Sequence, residues 1–390
     1  MPSLDAIRRD NNCMADYDFA IVGGGLVGSS IAWGLARAGY KLVVLDEGDV
    51  AYRASRGNFA LISVQRKGLG LSAYGLWTKR SSDAWPVFHR ELHDISGVDV
   101  AFERAGGLQL CLSDAELDRE IETVKQLYGQ RNMFSYPYEI LDHAGVSARI
   151  PEIGPEVVGG IYFPVDGQCN SLRLFHALHS GMRPLGIDYR PNRRVEQISG
   201  CGGGFRITTA NGEVIAEKLV LAAGLSNARL GPMVGLNVPV RPQRGQIIVT
   251  EKIRPFLHYP LYSMRQTDEG SVMLGDSVEE VGLDDRVSYA VLSTMASRAV
   301  RTIPLLGTVN VVRTWAALRI MTEDGFPIYD ESDRCRGAYV ATCHSGVTLA
   351  AAHALVLPSM LVGSHLPDEL APFSARRFAG HGGSDVQKAD

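Results

Sequence analysis

The amino-acid sequence predicts an α/β protein in which a dinucleotide-binding domain of Rossmann type is interrupted by a second, mixed α+β domain. Three observations carry that expectation. Gly23-Gly24-Gly25-Leu26-Val27-Gly28 fits G-x-G-x-x-G between an apolar run and a helix-forming stretch, and Asp46 ends the next apolar run. After that second strand the chain leaves the βαβ pattern, whereas a lone NAD domain runs on into further βα units, and a fresh buried strand returns only at Lys218 to Ala223. Ala338 to Ala341 followed by Gly346 to Leu361 then reads as one more strand and helix.

Phe19-Ala20-Ile21-Val22 is continuously apolar, the pattern of a strand buried on both faces. Leu26 to Ala38 reads as a helix with small residues on its inner side, ended by Gly39, and Leu42 to Leu45 as a second buried strand. A patterned loop, Ser55-Arg56-Gly57-Asn58-Phe59-Ala60, follows. From Leu76 to Ala148 the period lengthens to helices, with Trp77, Trp85, Phe88 and Leu92 at helical spacing and a strand over Gly107 to Leu112. Ser171 starts another helix, and Phe205 to Thr209 and Glu213 to Ala216 flank Asn211-Gly212, a hairpin signal. Gln246 to Val249 and Ser271 to Leu274 alternate like strands. These readings assign 17–75, 150–238 and 312–378 to the dinucleotide-binding domain, 76–149 and 239–311 to the inserted one, 1–16 to a loose extension and 379–390 to a polar tail.

Composition excludes other classes. A chain of 390 residues holds two or three folding units at roughly 150 residues each, and 45 % hydrophobic against 21 % charged residues describes a globular protein. Lys plus Arg at 39 against Asp plus Glu at 43 gives a net charge of −4 with no long basic run, which argues against nucleic acid as a partner. The six cysteines form no C-x-x-C pair and read as ordinary thiols, not as a zinc site, an iron–sulfur site or a disulfide framework. Phe19 to Ala36 is uncharged over about the length of a membrane span, but its glycines suit strand, turn and helix. No secretory leader is expected at the start, which makes a cytoplasmic location the expectation.

The glycine motif needs its glycines for a tight turn, for close approach of backbone to a pyrophosphate, and for helix–strand packing. The helix N-terminus then faces the phosphates, and Asp46, or less readily Glu47, accepts hydrogen bonds from a ribose.

With Ser55-Arg56-Gly57-Asn58, Leu219 to Gly224, Arg244-Gly245-Gln246, Trp315 to Arg319 and His344 to Ala350 added to Asp18–Asp46, the sequence resembles the D-amino-acid oxidase superfamily from about residue 17 to 375, in the branch that holds glycine oxidase, the B-subunit of opine oxidase and the C-subunit of hydrogen cyanide synthase. The resemblance implies a glutathione-reductase-type FAD-binding Rossmann domain, with a substrate domain roofing the flavin. It implies oxidation of a C–N bond by hydride transfer to flavin N5, the imine hydrolysing to an oxo acid and an amine. In this frame Gly23, Gly25, Leu26, Val27, Gly28, Asp46, Glu47, Ser55, Arg56, Asn58, Ala223 and Gly224 are cofactor contacts. Arg319 is expected to clamp a substrate carboxylate with its planar fork. His344, a group titrating near neutrality, and Tyr262 and Arg265 are expected at the substrate. Ser345, Gly346, Val347 and Thr348 are expected to open a helix whose dipole favours the reduced flavin. Lys67 is placed near the flavin without an orientation. The segment Trp315 to Arg319 contains no Cys, so FAD is expected to bind non-covalently.

The implied partners are a small carboxylate-bearing amine, O2 or a partner subunit or quinone as electron acceptor, and further subunits in a homo- or hetero-oligomer. Glycine-, opine- and N-carboxyalkyl-type amino acids all remain open as substrates, as does the role of a D-amino acid or D-hydroxyproline dehydrogenase subunit. An aromatic monooxygenase would carry a Gly-Asp pair where this chain has Ala341 to Gly346, and a purely flavin-holding scaffold would not need Arg319.

Overall fold

The computed structural model describes residues 14–48, 54–363 and 365–378; most of the extension expected at the start and the polar tail lie outside these. The glycine motif sits where the sequence places it. Strand β1 (Tyr17–Val22) and strand β2 (Leu42–Leu45) pair in parallel, Phe19 opposite Leu42 and Val22 opposite Leu45, with helix α1 (Leu26–Arg37) between them. Both strands bury their apolar side chains on both faces, so neither face of the sheet is left to water. Gly39, at φ +89, closes α1 in a left-handed conformation that costs a side-chain-bearing residue more.

The sheet runs Ile328–Glu331, Ala338–Thr342, Gly212–Leu221, β1, β2, Asp188–Arg190. The sequence reading had Glu213 to Ala216 and Lys218 to Ala223 as separate strands; they form one, Gly212–Leu221. Its first half pairs antiparallel with Gly204–Thr209, and its second half lies parallel to β1, Phe19 opposite Lys218 and Val22 opposite Leu221. Nothing between Ala216 and Lys218 breaks the chain, because Glu217 stands exposed while its neighbours alternate inward. Thr209 pairs with Gly212, so the hairpin turn is Ala210-Asn211, one residue earlier than expected, and Gly212 takes φ +115.

A four-stranded antiparallel sheet, Met264–Gln266, Ser271–Leu274, Arg241–Lys252 and Val311–Met321, forms the second layer. It shares one core with a three-stranded sheet containing Gly107–Cys111 and with the helix Tyr289–Thr302, through Leu108, Ile248, Met264, Leu274 and Met295. Gly159–Phe163, assigned from sequence to the dinucleotide-binding domain, is the middle strand of that three-stranded sheet. The helix Ser72–Ser96 moves the other way: Trp85, Phe88 and Leu92, at the expected spacing, pack with Trp33 of α1 and Leu174 and Leu178 of the helix Ser171–Met182, not with the second layer.

Gly346 to Leu361, expected as one helix, is a turn followed by two short helices, Ala350–Leu355 and Leu357–Leu361. Pro358 explains the break, since it lacks an N–H and its ring collides with the carbonyl four residues back, at Ala354. That carbonyl is pressed against α1, where a Cβ on Gly34 would stand 2.0 Å from Ala354 O and 2.4 Å from Pro358 Cγ. Gly34→Ala therefore overpacks this contact, and a loss of about 1–3 kcal/mol is expected in the denaturant midpoint with the m-value unchanged.

Candidate functional site

A cavity of about 1160 Å³ runs from the glycine turn to the second sheet, above the roughly 300–1,000 Å³ usual for a single small-molecule site. Gly23, at φ +109, makes the turn against Ala222, whose carbonyl oxygen is 2.4 Å from where a Cβ would lie; a Cβ on Gly28 would lie 1.9 Å from Gly23 O. Gly25 differs, for its Cβ would meet only Ser55 Oγ at 2.9 Å. It is the glycine that leaves room for something else. Leu26 and Val27 continue the wall, and the first turn of α1 carries no acidic residue to neutralise its dipole. Asp46 accepts from Gly24 N–H at 2.7 Å and Gly48 N–H at 2.9 Å, which fixes its carboxylate at the cavity edge, with Glu47 beside it. Ser55 Oγ accepts from Leu26 N–H at 3.0 Å. Arg56 lies over the Phe175 ring, and Asn58 Oδ1 shapes its own loop by accepting from Ala60 N–H at 2.6 Å. Ala223 and Gly224 line the same wall.

His179 escaped the sequence reading. Its Nε2 donates to Gly24 O at 2.8 Å and its ring lies between Phe175 and Tyr189. Burial pushes the imidazole down, which keeps it neutral at neutral pH. No local motif marks such a residue; only the helix Ser171–Met182 crossing under the glycine turn brings it there.

At the far end Arg319 projects from Val311–Met321, in register with Gln243. Its Nη1 donates to Ser277 O at 2.7 Å, and its guanidinium lies against Gly245, where a Cβ would stand 2.5 Å from Nη2. Among the described residues no carboxylate lies within ion-pair distance of it, so it is no surface salt bridge; burial lowers its pKa. Asp276 lines the cavity nearby, its carboxyl raised by burial. Tyr262 also lines it, with the Arg66 guanidinium 5.4 Å above its ring.

Arg265 is not at the substrate. It is buried beneath the wall, donating from Nε to Phe59 O at 2.6 Å, so it supports the loop through Phe59 and does not line the cavity. His344 does line it, but the expectation of titration near neutrality is overturned: enclosure by protein, with Lys67 and Arg319 close by, pushes its imidazole down to about 3. Ser345, Gly346, Val347 and Thr348 line the cavity as a turn and do not open a long helix, which starts only at Ala350. Ser345 Oγ meets Lys67 Nζ at 3.0 Å and Tyr74 OH at 2.8 Å, and Thr348 Oγ1 donates to Leu61 O at 3.0 Å, tying the turn down. Cys343, at the base of this turn, is pushed up to about 12 by burial and is no thiolate. No cluster of metal-ligating side chains occurs among the described residues.

A family model described as FAD dependent oxidoreductase, DAO, matches residues 18–358. The chain belongs to the DAO family. The B-subunit of opine oxidase from Agrobacterium tumefaciens is 47 % identical over 94 % of this chain and 98 % of its own length. The hydrogen cyanide synthase subunit HcnC of Pseudomonas protegens is 30 % identical over 93 % and 96 %. The crystal structure of glycine oxidase from Geobacillus kaustophilus superposes with a TM-score of 0.83 at 25 % identity, covering 92 % of this chain and 98 % of that one. The cofactor of this DAO-family protein is FAD, and the cavity fits it: Gly25 leaves the space a pyrophosphate needs, α1 points its N-terminus there, and Asp46 is held where a ribose hydroxyl would donate.

Gly25→Val fills that space, and the variant is expected to purify colourless, read as the ratio of flavin to protein absorbance. Because its imidazole stays neutral above about pH 3, His344→Gln is expected to leave every inflection between pH 5 and 8 in the pH profile of substrate capture where the wild type has it.

Proposed function

We propose that this protein oxidises the C–N bond of a small amino acid or an N-substituted amino acid of glycine, opine or N-carboxyalkyl type, giving an imine that hydrolyses to an oxo acid and an amine. The observation that carries the proposal is Arg319, a half-buried guanidinium facing the cavity with no carboxylate paired to it among the described residues. FAD, when bound, supplies the hydride acceptor at its N5.

Arg319 holds the substrate carboxylate, with Nη1 already oriented by Ser277 O and the plane of its fork set by Gly245. Tyr262, on the same wall, offers its hydroxyl to that carboxylate. Lys67 and Arg319 place positive charge around His344, and the same field disfavours a substrate ammonium, so the amine is held in the neutral form that oxidation requires. The neutral His344 positions the amine by hydrogen bonding and carries no charge of its own. The turn Ser345–Thr348 lines the cavity where negative charge would arrive; Gly346 N–H is already donated to His344 O, which leaves the N–H groups of Val347 and Thr348 as its donors in this reading. FAD is held without a covalent link.

The relatives named as subunits favour this chain working within a larger assembly, with O2, a partner subunit or a quinone as the electron acceptor. A D-amino acid or D-hydroxyproline dehydrogenase subunit is the second reading on the same grounds. Among the described residues no helix is long and apolar enough to cross a membrane.

Anaerobic mixing with glycine, sarcosine, D-amino acids, D-prolines and N-carboxyalkyl amino acids tests the proposal. Bleaching of the flavin absorbance by one of them is expected, and reoxidation on admitting air separates oxidase from dehydrogenase. Arg319→Ala is expected to keep its flavin and to raise KM roughly 30-fold or more, as loss of one partner from a buried charge pair does. A colourless variant makes Arg319 structural.

A further inference from the structure

Lys67 is a cavity cation to which the reading above gives a field but no contact with substrate. The segment that presents it is shaped with unusual care. Asp166, buried, accepts from Ser63 Oγ at 3.0 Å, Val64 N–H at 2.8 Å and Gln65 N–H at 3.3 Å, which pins the chain just before it. Arg66 then adopts φ +60, a left-handed conformation uncommon for a residue with a side chain, and Lys67 N–H closes a turn on Val64 O at 3.1 Å. The turn directs two successive cations into one cavity.

Their surroundings differ. Arg66 is offset by Glu120, 3.3 Å away. Lys67 has no carboxylate within ion-pair distance among the described residues; its Nζ meets the neutral Ser345 Oγ at 3.0 Å and the Tyr74 ring at 5.9 Å. Arg319, from the opposite layer of the fold, is in the same condition. Both lie close enough to the His344 ring to depress its protonation. Two cations, each with no carboxylate within ion-pair distance among the described residues, thus stand about one imidazole, and a substrate with a single carboxylate would pair with only one of them.

We propose that Lys67 is the binding residue for a second substrate carboxylate, so that the favoured substrate is a secondary amine bearing a carboxylate on each nitrogen substituent, one held by Arg319 and the other by Lys67. This rests on the functional reading above and narrows it. A primary amino acid leaves the Lys67 charge without a partner, and an N-alkyl amino acid places an apolar group beside it; both are disfavoured.

The test uses the FAD-loaded protein and two thioethers that cannot be oxidised as amines, thiodiacetate with two carboxylates and (methylthio)acetate with one. Dissociation constants come from calorimetry and from the flavin difference spectrum. The wild type is expected to bind thiodiacetate about 10- to 100-fold more tightly. Lys67→Met is expected to bring that ratio close to one, and Lys67→Arg to retain most of it, with flavin content and melting temperature confirming that both fold. A ratio near one in the wild type overturns the proposal, as does a ratio that survives in Lys67→Met. If Lys67→Met weakens both thioethers equally and shifts the flavin spectrum, Lys67 serves the cofactor and the proposal also falls. Failure of every amine to bleach the flavin removes amine oxidation but leaves the thioether ratio to judge the two-carboxylate site.

Discussion

At Gly23 to Gly28 and at Ala222, two stretches of chain press backbone against backbone, and the cofactor side of the molecule is arranged around that contact. Any Cβ on Gly23 or Gly28 would lie inside another atom's radius, so the approach exists only because these two residues lack side chains where the stretches meet. The contact fixes β1 against Gly212–Leu221, aims the N-terminus of α1 at the cavity, and puts Ala223 and Gly224 on its wall. Asp46 and His179 then hold Gly24 from both sides, one by accepting from its N–H and the other by donating to its carbonyl.

The substrate end is organised by charge instead of contact. The chain as a whole is net negative, yet basic side chains outnumber acidic ones along the cavity. Arg319 is carried by the second layer, and Lys67 by a strained turn attached to the first. Neither cation could be set by its own layer relative to the other. Their distance depends on how the layers stack, and the layers are tied where Arg265 and Trp315 of the second donate to Phe59 O and Gly57 O in the loop that precedes the Lys67 turn.

The βαβ unit was legible because its signals are local: an apolar run, glycines at fixed spacing and an acidic residue at the next strand end. Arg319 was singled out through its flanking pattern and a family resemblance, and it lies on the cavity wall. Arg265 was misread because spacing along a strand says which face a residue takes only if the register is known, and its guanidinium lies under Phe59. His344 lines the cavity, but its protonation was not legible, since it depends on burial and on neighbours such as Lys67, more than two hundred residues away in the chain. The helix Ser72–Ser96 shows the same limit, for its spacing revealed an apolar face but not the layer that face would join. Lys67 could be named from the sequence but not oriented, because its direction depends on the buried Asp166 and the left-handed Arg66.

Gly23 closes on Ala222, a partner about 200 residues further along the chain. At roughly 5–20 residues per second of synthesis, a ribosome has been working for some 10–40 s after the glycine motif emerges before that partner exists. Until then the most recognisable segment of this protein is only half a binding site, with its strand edge uncovered. Cofactor capture is therefore a late event in the life of each molecule, and the free flavin supply of the cell meets a chain already more than half made.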